Sequence, residues 1–359
     1  MFLALRELRY AKLRYTLIAL IMILIAWLTF IVSGLANGLA SDNASAIESM
    51  NGHSFVLQKE AEQKIGRSSL PETALTDIQK QVGTNNAVPL SQMMVSLKKE
   101  NTTKKIDATI FGINPSSFLA PDVTEGSSLS EGAILSKAFK EKGIQVGDVL
   151  TSDDLEQTFV VAGFTDNQMF SHTPVMYVPI KQFQVLQTSM GKKEISYNAI
   201  VLKKEAGSLE KSVSGIQVLT KSEMVQSIPG YKEEQGSLTM MRAFLVIIAA
   251  FVQAGFFYVL TLQKTNQFGV LKAIGATTSY LAKSVIGQVL LLAVAAIAAS
   301  LALTFGASML FPAGMPFVLS TSTIVQYSVL LLLVSALGAS LSLYQIARID
   351  AMEAIGRAE

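Results

Sequence analysis

Residues 18–35 read IALIMILIAWLTFIVSGL, an uncharged run inside an apolar stretch from Leu17 to Leu39. A helix needs about 20 mostly apolar residues to cross the hydrocarbon core of a bilayer, and this stretch is long enough. A basic flank precedes it: Arg6, Arg9, Lys12 and Arg14. Secretory signals open the same way, but their apolar segment is about 7–15 residues and ends at a small-residue cleavage site. This stretch is longer and no clear site follows, although Gly34, Ala36 and Ala40 are small; it reads as an anchor. Three further stretches read as spans. Met241–Leu262 contains AFLVIIAAFVQAGFFYVL, Val285 to about Phe311 is long and rich in small residues, and Ile324–Tyr344 follows. Gly287, Gly306, Gly338, Ala339 and Ser340 lie within them and predict closely packed helices, since small residues let backbones approach in lipid.

Between the first two spans lies a different composition. Residues 41–240 carry short strand-like runs, among them Ser54–Gln58, Thr109–Ile113, Thr158–Phe164 and Val175–Ile180, with helical patterns at Glu72–Val82 and Ser136–Gly143. Turn signals separate them at Asn114-Pro115, Glu131-Gly132 and Val146-Gly147-Asp148. Mixed short strands and helices predict an α+β domain. The expected architecture is an integral membrane α-helical protein with four transmembrane helices. A large extracytoplasmic α+β domain is inserted between helices 1 and 2. The parts are 1–40, the domain at 41–240, and 241–359 with a loop at 263–283.

Charge supplies the orientation. Basic residues favour the cytoplasmic side of short loops. The N-terminal flank is basic, the loop after the second span holds Lys264, Lys272 and Lys283, residues 312–323 carry no charge, and the C-terminus holds Arg348 and Arg357. Both termini and the 263–283 loop are expected in the cytoplasm, with residues 41–240 outside the cell membrane.

Composition excludes several functions. Only 16% of the 359 residues are charged, against about a quarter in soluble domains, while half are hydrophobic. The net charge of +2 gives no electrostatic case for nucleic acid. The absence of cysteine removes disulfides, thiolate metal sites and cysteine catalysis. No G-x-x-x-x-G-K-[ST], H-E-x-x-H or G-x-S-x-G occurs, so the chain carries no ATP-binding phosphate loop and no such hydrolytic centre. The two histidines, His53 and His172, do not suggest a dedicated metal site. The spans hold almost no ionisable residues, which disfavours an intramembrane proton or ion relay.

The most specific stretch is Gln263–Ala276, QKTNQFGVLKAIGA, a short helical pattern closed by Gly275. It resembles the cytoplasmic loop of the MacB/FtsX-type ABC transporter permeases, R-x-x-E-I-G-[IV]-L-[KR]-A-[IL]-G-A. The match covers Gly269 to Ala276; Gln267 stands for the usual acid and Phe268 for the usual aliphatic residue. Asp350-Ala351-Met352-Glu353-Ala354-Ile355-Gly356 resembles the family's terminal D-P-x-E-A-[IL], with Ala351 in place of proline. The order of one span, a large domain and three spans is also similar, so the resemblance covers the whole chain. It implies a permease without enzyme activity of its own, working as a homodimer in membrane lipid with two copies of a separate cytoplasmic ATPase. Gln267, Gly269, Leu271, Lys272, Ala273 and Gly275 would form the coupling segment. Closure of the ATPases would move the external domain by mechanotransmission.

Within that class the chain is similar to the haem-efflux permeases of Gram-positive bacteria, through Ser54–Lys59, Tyr231 with Glu234-Gln235, Met315-Pro316-Phe317, Gly338–Ser342 and the C-terminal motif. This implies haem as substrate, with no intrinsic cofactor or metal. Haem needs an apolar slot and an axial ligand such as His, Met or Tyr. The candidates are Tyr231, Glu234, Glu233, Met240, Phe55, Phe170 and His172. Export of another amphiphile, or signalling to a cell-wall hydrolase or sensor kinase, stays open as an alternative.

Overall fold

The computed structural model describes residues 12–348, apart from 154, 156, 193, 206–208 and 313. Arg6, Arg9, Arg357 and the Asp350–Gly356 motif lie outside the described residues. In chain order the structure runs α1 (Lys12–Ser49), β1 (Ser54–Gln58), β2 (Leu70–Pro71), α2 (Glu72–Val82), β3 (Ala87–Lys99), β4 (Lys105–Ile113), β5 (Glu125–Gly126), β6 (Ala133–Ser136) and α3 (Ala138–Glu141). It continues with β7 (Val149–Thr151), β8 (Thr158–Thr165), β9 (Met169–Phe170), β10 (Thr173–Pro179), α4 (Ile180–Ser189), β11 (Ser196–Tyr197), β12 (Ala199–Leu202), α5 (Leu209–Ser212), β13 (Ile216–Thr220) and α6 (Lys221–Gln226). It closes with α7 (Tyr231–Gln263), α8 (Thr265–Ala273), α9 (Thr278–Ser308) and α10 (Thr321–Arg348). The chain divides into two compact units, Leu39–Gln235 and Met1–Gly38 with Gly236–Glu359.

In the first unit the main sheet has the strand order β13-β1-β12-β3-β4-β10-β6-β8-β5. The 13-residue β3 holds it together, pairing β12 through Ala87–Leu90, β4 through Ser91–Lys98 and β7 at its end. Side chains alternate across a strand, so β1 feeds two cores: Phe55 and Leu57 join one cluster and Val56 another, with Ile78 of α2. A third cluster packs Phe139, Phe159, Phe164 and Phe183 on the β4–β10–β6–β8 half. The Val146–Asp148 turn signal is met. Gly147 takes φ +88°, and the Asp148 carboxylate accepts the Gln145 amide at 2.9 Å. Lys99 sits 2.7 Å from that carboxylate, and its hydrogen bond holds the carboxyl below its ordinary range.

One sequence expectation is met only in part. The helix expected over Ser136–Gly143 is confined to Ala138–Glu141, because Ser136 ends β6, paired with Thr165 of β8.

The second unit is built from the apolar helices. Among the described residues, four helices are long and apolar enough to cross a membrane. They are longer than the apolar runs: at 1.5 Å per residue the 38 residues of α1 reach about 57 Å, roughly twice the hydrocarbon thickness. Phe30, Ala249, Ile297 and Leu331 pack together, and Tyr15, Met22, Phe257 and Leu292 form a second layer. Some polar side chains find partners inside. Ser335 Oγ donates to Gln253 Oε1 at 2.6 Å, and Thr304 donates to the Ser300 carbonyl at 2.7 Å. The small residues act unequally. Gly338 lets α10 approach α7, its would-be Cβ lying 3.1 Å from the Ala254 nitrogen, whereas Gly287 and Gly306 face open space. Gly34 and Gly38 admit the segment at Pro316-Phe317, and the Val318 amide donates to the Gly34 carbonyl at 2.9 Å.

Candidate functional site

Two groups of residues stand out, one in each unit. In the domain unit Gly230, at φ +81°, turns the chain into α7, and Tyr231 follows at once. Tyr231 is partly buried against the core that holds Ile228 and Met224. Glu234 lies three residues on and so shares its helix face. Asn43, fully buried near the end of α1, donates from Nδ2 to Glu234 Oε2 at 3.0 Å. The His172 ring reaches the same carboxylate, with Nε2 3.6 Å from Glu234 Oε2, while its Nδ1 is 3.1 Å from Asp42 Oδ2.

Three of the candidates named from sequence, Tyr231, Glu234 and His172, thus gather at one place. The others separate. Phe55 and Phe170 sit inside the domain core, Phe170 edge-on to Phe111 at 5.5 Å, so their faces are already covered by protein. Glu233 is exposed on the opposite side of the first turn of α7, and Met240, in the helical unit, is exposed as well. Sequence reasoning missed Asp42 and Asn43 because it ended the first helix near Leu39. The signal was present: Ala40, Ala44 and Ile47 continue a helical spacing without proline or a stop.

In the helical unit the 263–276 segment folds as α8 and a cap. Phe268 is buried against Leu281 and Val285 of α9, with Leu271 and Ala276 packed beside them. The Gly275 amide donates to the Lys272 carbonyl at 3.0 Å and the Ala276 amide to the Leu271 carbonyl at 2.9 Å. With Gly275 at φ +101°, this is a Schellman cap, and Leu271 with Ala276 supplies its apolar contact. Thr277 then caps α9 by accepting the Tyr280 amide. Lys264, just before α8, donates to Gln288 Oε1 at 3.1 Å and lies 5.4 Å over the Tyr15 ring. The helix phase splits the motif residues. Gly269 and Leu271 turn inward, Gly275 makes the cap, and Gln267, Val270, Ala273 and Ile274 face outward. Val270 is 52% and Ile274 76% exposed, so an apolar surface is presented where a solvated turn needs none.

The cap gives a first expected outcome. A side chain at Gly275 must adopt a left-handed backbone, at about 1–2 kcal/mol. Gly275→Ala should unwind the end of α8, seen as faster hydrogen exchange at Gly275 and Ala276. An unchanged exchange rate would refute the role of the cap.

The chain was compared with known proteins. The FtsX-like permease C-terminal family matches residues 239–351. A Staphylococcus epidermidis protein named "Putative hemin transport system permease protein HrtB" is 31% identical over 359 residues, covering 99% of both chains. The Staphylococcus haemolyticus protein of the same name is 29% identical over 361 residues, again covering 99% of both. The periplasmic region of MacB from Actinobacillus actinomycetemcomitans aligns with 52% of this chain and 98% of its own, at 16% identity and a TM-score of 0.36. The match from end to end with the staphylococcal proteins, joined to four span-length helices and the FtsX-like segment, makes this chain a membrane-embedded member of the FtsX-like ABC transporter permeases, in the group that includes the HrtB-named proteins.

Proposed function

We propose that the chain is the permease subunit of an ATP-driven exporter that removes haem from the membrane and relieves haem toxicity. The observation that carries this reading is the full-length similarity to relatives whose names include hemin transport. Tyr231 and Glu234 on one helix face supply oxygen ligands of the kind iron(III) accepts. Glu233 and Met240 remain candidate neighbours.

The energy enters elsewhere. The chain has no phosphate loop, so a separate cytoplasmic ATPase supplies it. Lys264, Lys272 and Lys283 favour a cytoplasmic position for α8, with the termini on the same side and the domain outside. The outward face of α8 is the docking surface, and motion of α8 passes along α7 to the domain. Two copies pair through α7, the least covered span: 17% of its apolar window is buried, against 39% in each of the other three. Phe244, Ile248 and Phe251 are exposed on it.

The test is haem titration of the purified homodimer in lipid nanodiscs, followed by the Soret band. Tyr231→Phe with Glu234→Gln should weaken binding by at least about tenfold, the equivalent of roughly 1.4 kcal/mol. Haem-challenged cells that carry only this double variant should grow no better than cells lacking the gene. Equal affinity in the wild type and the double variant would sink the assignment of the site, and no binding at all would sink haem as substrate.

A further inference from the structure

Beyond its first turn α7 carries a single charged residue, Arg242. The next charge along the chain is Lys264, and the 21 residues between them, 243–263, carry none. At about 1.5 Å per residue that stretch spans roughly 31 Å, close to the thickness of the hydrocarbon core of a bilayer. Arg242 therefore lies at one boundary of the hydrocarbon and Lys264 at the other. Lys264 belongs to the basic segment expected in the cytoplasm. Arg242 stands at the opposite end, where the bias in basic residues gives no reason for a cation.

The protein does not balance this charge. A guanidinium has five N–H donors, no acceptor, and keeps its proton. Among the described residues one acceptor meets it: Thr239 Oγ1, a neutral group one turn back on α7, 3.2 Å from Nη2. Its Nε is buried without a hydrogen-bond partner. None of the ion pairs among the described residues includes it. Nor does it project from the bare side of the helix. Val246 and Ala249, four and seven residues on, share its face. Ala249 belongs to the buried cluster of Phe30, Ile297 and Leu331, and Val246 packs against it. Phe244 and Phe251, 56% and 76% exposed, take the other side of α7. Arg242 itself is only partly buried, so its head remains within reach of a ligand. An ionisable residue at membrane depth with no protein partner marks a place where something else supplies the counter-charge.

We propose that Arg242 is an acid-group subsite, whose guanidinium takes the carboxylate or phosphate of an amphiphile with its apolar part in the hydrocarbon. The planar fork of N–H groups matches two oxygens of one acid, and both hydrogen bonds are charge-assisted. Depth adds the second criterion. At the hydrocarbon boundary an acid group meets the guanidinium while the body attached to it stays in the apolar phase. A water-soluble acid gains only the charge pairing, and a neutral amphiphile gains only the burial. Haem fits both demands, with its carboxylates at one edge of an apolar ring; that occupant rests on the haem reading above. A phospholipid phosphate offers the same chemistry and does not depend on that reading.

The test uses the full-length protein in a maltoside detergent, which brings no phosphate or carboxylate of its own. Haemin and its dimethyl ester, in which both carboxylates are masked, are titrated by the Soret band. Phosphatidylglycerol and the uncharged diacylglycerol are compared by the thermal midpoint. The wild type should prefer haemin to the ester by at least about tenfold, or be stabilised by phosphatidylglycerol and not by diacylglycerol. Arg242→Gln should abolish whichever preference the wild type shows. Without any probe its midpoint should hold or rise, because an unbalanced cation has been removed. Loss of the haemin preference makes the substrate's carboxylates the occupant; loss of the lipid effect alone makes it a phospholipid phosphate. A wild type that binds no haemin yet shows the lipid effect keeps the subsite and removes haem as substrate. Preferences that survive in Arg242→Gln, a wild type with neither preference, or a probe-free midpoint that falls in the variant overturn the proposal, the last because the guanidinium would then be a structural group.

Discussion

Val270→Asp and Ile274→Asp should each abolish productive engagement of the ATPase while leaving the permease folded. Both side chains point away from the helical unit, so a carboxylate there meets water in the free protein and no packing is lost. In a complex the same carboxylate would be buried without a partner, which costs about 2–5 kcal/mol, or roughly 30-fold to several thousand-fold in affinity. The measurement is co-purification of the ATPase with tagged permease, together with permease-dependent ATP hydrolysis, expected to fall by more than about tenfold. Phe268→Ala is the informative contrast. That ring is buried against Leu281 and Val285, and its truncation should cost about 3–5 kcal/mol of local packing. It should therefore lower thermal stability as well as coupling. If the two aspartate variants still bind the ATPase at wild-type strength, α8 is not the docking element. If they lower the melting temperature as much as Phe268→Ala, the outward face has been misassigned.

This contrast shows what a motif conveys. The run Gly269–Ala276 was legible as one unit, because composition and spacing carry it. Its division into an anchoring side and a presenting side was not legible, because that depends on where α9 lies, and α9 returns against it through Leu281 and Val285. Phe268 illustrates the point. It departs from the aliphatic residue of the family pattern and proves to be the buried anchor. The spans were legible for a simpler reason: a bilayer demands some twenty apolar residues, and nothing else in the chain supplies them. The ends of the helices were not. Beyond the hydrocarbon α1 continues on alanines, serines and Asn43 to Ser49, where hydropathy is silent. That silence hid half of the domain-side cluster. Asn43 and Glu234 are 191 residues apart in sequence and meet only because both helices continue past the membrane-length run. Phe55 and Phe170 erred in the other direction. An aromatic near a strand end reads equally well as a ligand wall or as core, and cross-strand packing decided for core.

Gly38→Ala should be the most damaging single-methyl substitution in the helical unit. A Cβ there would lie 2.2 Å from the Pro316 carbonyl oxygen and 2.6 Å from the Phe317 nitrogen, both backbone atoms. Neither can swing aside without moving the 315–318 segment, which is tied to α1 by the Val318 amide on the Gly34 carbonyl. Forcing a methyl into such a contact costs about 1–3 kcal/mol. For a unit of this size each kcal/mol moves the thermal midpoint by about 2–4 °C, so a fall on the order of 5 °C is expected. Gly34→Ala should be milder, although its Cβ lies 2.3 Å from a Phe317 atom. That atom is the tip of a ring, which can rotate at the expense of its edge-on contact with Phe311 at 5.1 Å. Gly306→Ala supplies the opposite sign. Nothing lies within 4 Å of its would-be Cβ, and alanine is the better helix former by about 0.5–1 kcal/mol, so its midpoint should hold or rise. The order Gly38 below Gly34 below Gly306, read by thermal melts in detergent, follows from backbone proximity alone. Equal midpoints for the Gly38 and Gly306 variants would mean that the outer segment does not seat on α1.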